Sequence, residues 1–212
     1  MIKSEGSFMF SGVISQIAPI KAFNHNVLEI LSPYRPKLGD SIAVNGACLT
    51  AIRLFKGGFA LELSAHTQKS IALENYTPPQ RVHIEPALRV SDRLDGHLVQ
   101  GHIDAIGEVA EIKPTANQVN MRIQAPRAFL RLCIPHGSVS VDGVSLTLSA
   151  VHSESFSLTI IPYTFENTLF ASYQKGRRVN LESDLLVRAV AHLLKTPTTP
   201  SWQEIDTLMM SY

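Results

Sequence analysis

The sequence predicts a mainly β protein in which one small antiparallel barrel or sandwich occurs twice, followed by an amphipathic helix. Three observations carry that prediction. The first is an internal repeat: Ser41, Val44, Gly46, Leu49 and Thr50 meet identical residues at Ser138, Val141, Gly143, Leu146 and Thr147, 97 residues on. A segment repeated this closely is one structural unit used twice. The second is turn chemistry. Asn45-Gly46 and Asp142-Gly143 each separate two β-prone runs, the strongest local signal for a two-residue hairpin. The third is the tail, where Leu185–Lys195 carries Arg188, His192 and Lys195 among Leu186, Val187, Val190, Leu193 and Leu194. That spacing makes an apolar helical stripe.

Each element follows from local pattern. Met9–Ile17 is the first strand-like run, stopped by Pro19. Strands are expected at about 40–44 and 47–53, and again at about 137–141 and 144–151. Along the outgoing strand, side chains alternate. Ala47, Leu49 and Ala51 form an apolar face opposite Cys48 and Thr50; Val144, Leu146 and Leu148 do the same opposite Ser145 and Thr147. The repeat continues through Thr67 and Thr164, and through Arg81–Glu85 and Arg178–Glu182. Upstream, Phe10–Ile14 aligns with Val99–Ile103 at a spacing of 89. The eight extra residues of copy two are expected in the polar stretch Lys113–Asn120. Ile71–Pro79 holds one helical turn. Ser183 or Asp184 caps the tail helix, and Ser201 with Glu204 forms a capping box for a last short helix. The tail helix either packs on a barrel or joins copies of the chain. The expected organisation is an extension at 1–8, barrels at 9–95 and 96–184, and a helical segment at 185–212.

The totals exclude several function classes. Net charge is +1, from 19 basic and 18 acidic side chains, so nothing favours nucleic acid or an anionic membrane. Two cysteines, Cys48 and Cys133, suit a reducing cytoplasm rather than a disulfide scaffold. The N-terminal residues lack an apolar signal core, and no uncharged stretch has the length of a membrane span.

The polar face is where chemistry is expected. Cys48 beside Thr50 is either a ligand-facing thiol or a small buried hydrophobe. Ser145 at the same place in copy two favours the former. His97 and His102 form a weak metal pair, with no third ligand at a recognisable spacing. His102 corresponds to Val13 of copy one, which favours a role in copy two alone, such as acid/base work, over a hydrogen-bonded surface histidine. Gly12 and Gly101 share one position, either for close approach of a flat ligand or for a bulge. Asp184 either caps the helix or anchors a catalytic group.

In order and in duplicate, Met9–Ile14, Ser41–Thr50, Gly96–Ile103, Asp142–Thr147, Ile161-Pro162 and Val179–Glu182 with Asp184 resemble the riboflavin synthase family of the α-chain type. The resemblance implies two six-stranded antiparallel Greek-key barrels and a C-terminal helix that assembles a homotrimer. Each barrel would bind one 6,7-dimethyl-8-ribityllumazine. The reaction is a dismutation of two such molecules to riboflavin and 5-amino-6-(ribitylamino)uracil, without metal or cofactor. The site would join the N-barrel of one subunit to the C-barrel of its neighbour. Lumazine synthase enters as a candidate partner.

By the same resemblance, Cys48, Ser41, Phe10 and Thr50 belong to the N-barrel side. His102, Ser145, Thr147 and Asp184 belong to the C-barrel side. Cys48, His102, Ser145, Ser41 and Asp184 are the implied catalytic set. His102 would move the proton of the C7 methyl, and Ser145, Cys48 or a water would assist addition at C7. The rings would lie against Phe10, Gly12, Val13, Ile14, Cys48, Leu49 and Thr50, and against Glu62, Leu63, Ser64, Ala65, His66 and Thr67. Their counterparts are Gly101, His102, Ile103, Ser145, Leu146 and Thr147, with Thr159, Ile160, Ile161, Pro162, Tyr163 and Thr164, and His136 at the rim. His136, His66 and Tyr163 replace the family's usual Lys, Glu and His. The family begins at Met-Phe, here Met9-Phe10, so residues 1–8 would leave near the site. A non-catalytic lumazine- or flavin-binding protein on the same fold is the alternative.

Overall fold

A computed structural model describes residues 9–195. The extension at 1–8 and the Ser201–Glu204 capping box lie outside them. Among the described residues, twelve strands form two closed barrels. The first comprises β1 (Gln16–Asn24), β2 (Val27–Leu31), β3 (Ser41–Val44), β4 (Ala47–Phe55), β5 (Gly58–Glu62) and β6 (Arg81–Pro86). The second comprises β7 (Ala105–Pro114), β8 (Val119–Gln124), β9 (Ser138–Val141), β10 (Val144–Val151), β11 (Ser155–Ile160) and β12 (Arg178–Ser183). Both close in the same order: β1-β2-β5-β4-β3-β6 is matched by β7-β8-β11-β10-β9-β12, antiparallel throughout.

The turn signals hold. Asn45 and Gly46 have φ of 42° and 79°, and Asp142 and Gly143 of 45° and 83°, the paired positive values of a type I′ hairpin. Alternation also holds. Ala47, Leu49 and Ala51 point into the first barrel with Ile30, Ile42, Phe59 and Leu61. Cys48 and Thr50 sit on its outer surface. The polar face of the repeat is therefore the outside of each barrel.

Two expectations change. Met9–Ile17 is not the first strand. Residues 9–15 form an extended arm, and β1 starts at Gln16 and contains Pro19. Proline is tolerated because β1 leaves β6 after Pro19 and joins β2 from Ile20, so no ladder bond is missing there. The eight added residues of copy two also divide. Some lengthen the β7–β8 hairpin; others expand the connection 32–40 into 125–137, which holds helix α2 (Arg127–Leu130). A 3₁₀ turn at Leu73–Tyr76 supplies the expected helical turn, preceded by helix α1 (Ala65–Ser70). Helix α3 (Pro162–Glu166) is the counterpart of α1.

The barrels meet across a pseudo-twofold seam. Gly46 and Gly143 touch so closely that a Cβ on Gly46 would lie 2.7 Å from the Gly143 nitrogen. His83 and Asn180, at equivalent positions of β6 and β12, perform one task with different chemistry. His83 Nδ1–H donates to the Asp142 carbonyl and Nε2 accepts the Leu169 N–H, both at 2.8 Å. Asn180 Nδ2–H donates to the Asn45 carbonyl and Oδ1 accepts the Ala72 N–H, both at 2.8 Å. These bonds require the neutral Nδ1–H tautomer of His83. Burial pushes its pKa down to about 4, against the raising effect of the bond to the Asp142 carbonyl.

A histidine neutral in the fold and protonated near 6.5 when unfolded withdraws stability as pH falls from about 6.5 to 4, by up to about 1.4 kcal/mol per pH unit. Asparagine reproduces both bonds without titrating. We expect His83→Asn to stay within about 4 °C of the native Tm at neutral pH, a cost near 1 kcal/mol. Its loss of stability between pH 6.5 and 4 should be shallower. Asp142, pushed up to about 6 by burial, titrates in both proteins, so the difference isolates His83. Parallel Tm-against-pH curves would contradict this role.

Candidate active site

The site begins with two arms that cross. The first arm, 9–15, precedes the first barrel, yet its Gly12 and Ile14 lie against the second; the other arm, 96–104, precedes the second barrel, yet its Gly101 and Ile103 lie against the first. Phe10 and Val99 meet where the arms cross, each donating its N–H to the other's carbonyl, at 2.7 and 3.0 Å. Each arm is anchored by a buried carboxylate of its own barrel. Glu85 accepts the Ser11 N–H and O–H and the Gly12 N–H at 2.7, 2.8 and 3.0 Å. Glu182 accepts the Gln100 and Gly101 N–H groups at 2.7 and 2.9 Å. Burial raises both carboxyl groups, Glu182 to about 7, against the lowering by these donors.

Each arm then reaches the opposite barrel through a glycine. The Ser145 N–H donates to the Gly12 carbonyl at 2.8 Å, and the Cys48 N–H to the Gly101 carbonyl at 2.9 Å. Both glycines have positive φ, 76° and 82°. A Cβ on Gly12 would stand 2.6 Å from Ser145 Cβ, and one on Gly101 2.5 Å from Cys48 Cβ. Glycine is required here twice over, by backbone angle and by space.

Against the second barrel, these contacts form a cavity of about 620 Å³, within the usual range for a small-molecule site. It is lined by Gly12, Val13 and Ile14 from the arm, Ser145, Leu146 and Thr147 from β10, and Tyr163 and Thr164 from α3. Against the first barrel, the repeat places Gly101, His102, Ile103, Cys48, Thr50, His66 and Thr67 at the same strand and arm positions. His102 is exposed and Ile103 packs on the first barrel's core. This corrects one expectation: His102 lies on the N-barrel side, because its arm crosses over. Phe10 is fully enclosed with Ala43, Val99 and Cys48, so within the chain it backs the site.

Three other predicted residues can offer the outer face only their backbone. Leu49, Leu63 and Ile160 are 2%, 1% and 1% exposed, with their side chains in the cores. Glu62 ends β5 and accepts the Asn26 amide at 2.9 Å. Ser64 caps α1, its Oγ accepting the Thr67 N–H at 3.0 Å, and Ala65 and His66 are exposed on that helix. In copy two, Thr159 is exposed at the end of β11, Ile161 offers no side-chain cap, and Pro162 opens α3. His136 is exposed with φ 65°, two residues before Ser138, which lines the cavity.

Sequence reasoning missed the pairing of His97. Its Nδ1 lies 2.7 Å from Ser145 Oγ, a nucleophile–base distance. His97 is 8% exposed, and its Nε2 has no partner among the described residues. Burial lowers its pKa, opposed by the negative charge of Asp184. Asp184 also caps helix α4 (Leu185–Lys195), accepting the Leu186 N–H at 2.8 Å. The capping role is met, and the carboxylate acts on His97 as well. Across the repeat, burial raises the Cys48 thiol, against the lowering by its bond to Ser41. Near neutral pH it is a thiol that can donate, rather than a thiolate. Among the described residues no group of three or more His, Cys, Asp or Glu could hold a metal ion, and no helix is long and apolar enough to cross a membrane.

The lumazine binding domain family matches the chain twice, at residues 11–87 and 100–184. The riboflavin synthase of Photobacterium leiognathi is 36% identical over 198 residues, covering 88% of this chain and 89% of the relative. That of Mycobacterium bovis is 40% identical over 162 residues, covering 74% and 81%. Among solved structures, LumP complexed with 6,7-dimethyl-8-(1'-D-ribityl) lumazine superposes with a TM-score of 0.72 at 17% identity, covering 82% of this chain and 99% of LumP. At that identity the likeness is one of fold.

The crossing is testable without a ligand. Gly12→Ala and Gly101→Ala should each cost at least about 1–2 kcal/mol from the left-handed backbone alone. Hydrogen exchange at the Phe10 and Val99 amides should accelerate with it. Native exchange rates in both variants would show that the arms do not depend on these contacts.

Proposed function

Since the chain belongs to the riboflavin synthase family, we propose that its two outer barrel faces form the two halves of one dismutating site. One half is the cavity beside Ser145 and His97; the other is its counterpart beside Cys48 and His102. Each takes one 6,7-dimethyl-8-ribityllumazine. A four-carbon unit passes from one molecule to the other, leaving riboflavin and 5-amino-6-(ribitylamino)uracil, so the enzyme acts as a transferase.

The observation that carries this reading is the paired architecture: two equivalent outer faces with different polar groups. Two copies of one substrate need two similar sites, while donor and acceptor roles need a difference. Cys48 with Ser41 and His102 on one side, and Ser145 with His97 and Asp184 on the other, supply it. The lumazine C7 methyl is acidic because its carbanion delocalises into the ring. The protein's work is to hold two rings in register and move protons. The Ser145–His97 pair suits proton transfer or addition at C7, and Asp184 stabilises the imidazolium as it forms. Cys48 acts as a neutral donor. His102 stands at the edge of the first half, where it can take the methyl proton.

The two halves of one chain lie on different barrels, and a second copy would set the Cys48 half of one chain against the Ser145 half of another. The apolar side of α4 supplies the means. Leu186, Val190, Leu193 and Leu194 are 65%, 55%, 61% and 82% exposed among the described residues, which suits helix-to-helix association in a homotrimer. Each site then pairs the first-barrel face of one copy, with Gly101, His102 and Ile103 laid on it, with the second-barrel face of a neighbour, with Gly12, Val13 and Ile14 laid on it. Residues 185–212 assemble the trimer in the cytoplasm, and a lumazine synthase is a fitting neighbour as the source of substrate.

Incubating the pure protein with the lumazine should yield flavin absorbance and the uracil in equal amounts. Lumazine binding without riboflavin would leave a non-catalytic binder instead. Cys48→Ala, His97→Gln and His102→Gln should each lower kcat by about 10²-fold, the lower end for acid–base groups, with KM much less affected. Native kcat in all three would remove these residues from the mechanism.

A further inference from the structure

We infer that Arg188, on helix α4, is a positioning residue that ties the arm carrying His102 to the C-terminal helix. The inference rests on the proposed dismutating site. Its observation is independent: the guanidinium bridges both flanks of that arm. Arg188 Nη2 donates to Gln100 Oε1 at 2.7 Å, and Nη1 pairs with Asp104 Oδ1 at 2.5 Å. Gln100 and Asp104 bracket Gly101, His102 and Ile103. The other Asp104 oxygen accepts the Ser183 N–H and O–H at 2.8 and 2.6 Å. Arg188 Nη2 also lies 3.8 Å from the Glu182 carboxylate that anchors Gln100 and Gly101. Three elements, the arm, β12 and α4, are thus pinned at one point. Arg188 and Asp104 are 24% and 23% exposed at their side chains, so the pair is shielded enough to matter.

Copy one has no such clamp. The counterpart of Gln100 is Ser11, whose O–H closes back on Glu85. The counterpart of Asp104 is Ser15, whose O–H donates to the Ile84 carbonyl at 2.8 Å. The flanking side chains of the first arm bond only within its own barrel. The second is held by the helix whose opposite, apolar side is exposed. Seating of the helix therefore sets the arm, and the arm sets Gly101 against Cys48 and His102 at its rim. The clamp makes one half of the site answerable to the assembly helix while the other half is not.

Arg188→Gln and Arg188→Lys in the full chain test this. Arg188→Gln should speed hydrogen exchange at the Gln100 and Gly101 amides at least about tenfold. It should lower kcat about tenfold or more, the scale of a small misplacement, with KM within about threefold. Lysine keeps the charge but not the two-pronged reach, so its kcat should fall between those of Gln and Arg. Glu182, with Arg188, Asp104 and Cys48 around it, loses a cation that holds its pKa down. Its carboxyl should titrate at higher pH in Arg188→Gln than in the native protein. Unchanged exchange at Gln100 and Gly101 overturns the inference, whichever way activity goes. So does a fall in kcat that higher protein concentration restores, because that is loss of assembly. If the native protein makes no riboflavin, the functional proposal fails, and the exchange rates still decide whether Arg188 holds the arm.

Discussion

The structure depends on the crossing of two arms, each gripped by a buried carboxylate of its own barrel. Glu85 and Glu182 each take two backbone N–H groups from an arm. That turns Gly12 and Gly101 outward, onto the strand of the other barrel. Without the grip, the arms would be loops over open surface, and neither Cys48 nor Ser145 would have a wall opposite it. Burying a carboxylate is unfavourable unless its charge is met by donors. Here the donors are the arm itself, so the cost of burying the anchor enforces the placement of the arm.

Duplication supplied the frame, and a few equivalent positions then diverged. His83 and Asn180 differ in residue but not in bonding, because an imidazole in one tautomer and an amide present the same donor and acceptor. Cys48 and Ser145 differ in a way that matters. One is a thiol held neutral by burial beside Ser41; the other is a hydroxyl against His97 and within the field of Asp184. Ser11 and Gln100 differ again, and the longer side chain reaches a helix that copy one lacks. The seam is nearly symmetric in its bonds, and symmetry breaks on the outer faces, where the proposed site lies.

The barrels were legible in the sequence because their signals are local. Asn45-Gly46 and Asp142-Gly143 set the hairpins through backbone angles, and alternation along β4 and β10 separated core from outer face. The offset between copies marked Gly12 with Gly101 and Cys48 with Ser145. The arms were not legible, because an extended segment looks the same whichever barrel it lies on. Met9–Ile17 therefore read as a strand, and His102 as part of the second barrel. In the sequence, His97 has only His102 nearby to pair with. Its partner Ser145 is 48 residues away, and no periodicity joins them. Arg188 read as the polar side of an amphipathic helix, which it is; only the fold brings Gln100 and Asp104 under it.

The central claim is that a working site takes its Cys48 half from one copy and its Ser145 half from another. Mixed assemblies of two damaged chains test it most directly. Cys48→Ala and Ser145→Ala chains are each expected to turn over poorly alone. Co-assembled at equal amounts in a closed ring, about a quarter of the sites would join two undamaged halves. The account predicts riboflavin formation well above that of either variant alone, approaching that fraction of the native rate. Activity in the mixture no higher than the mean of the two variants would place both halves of the site in one chain and contradict it.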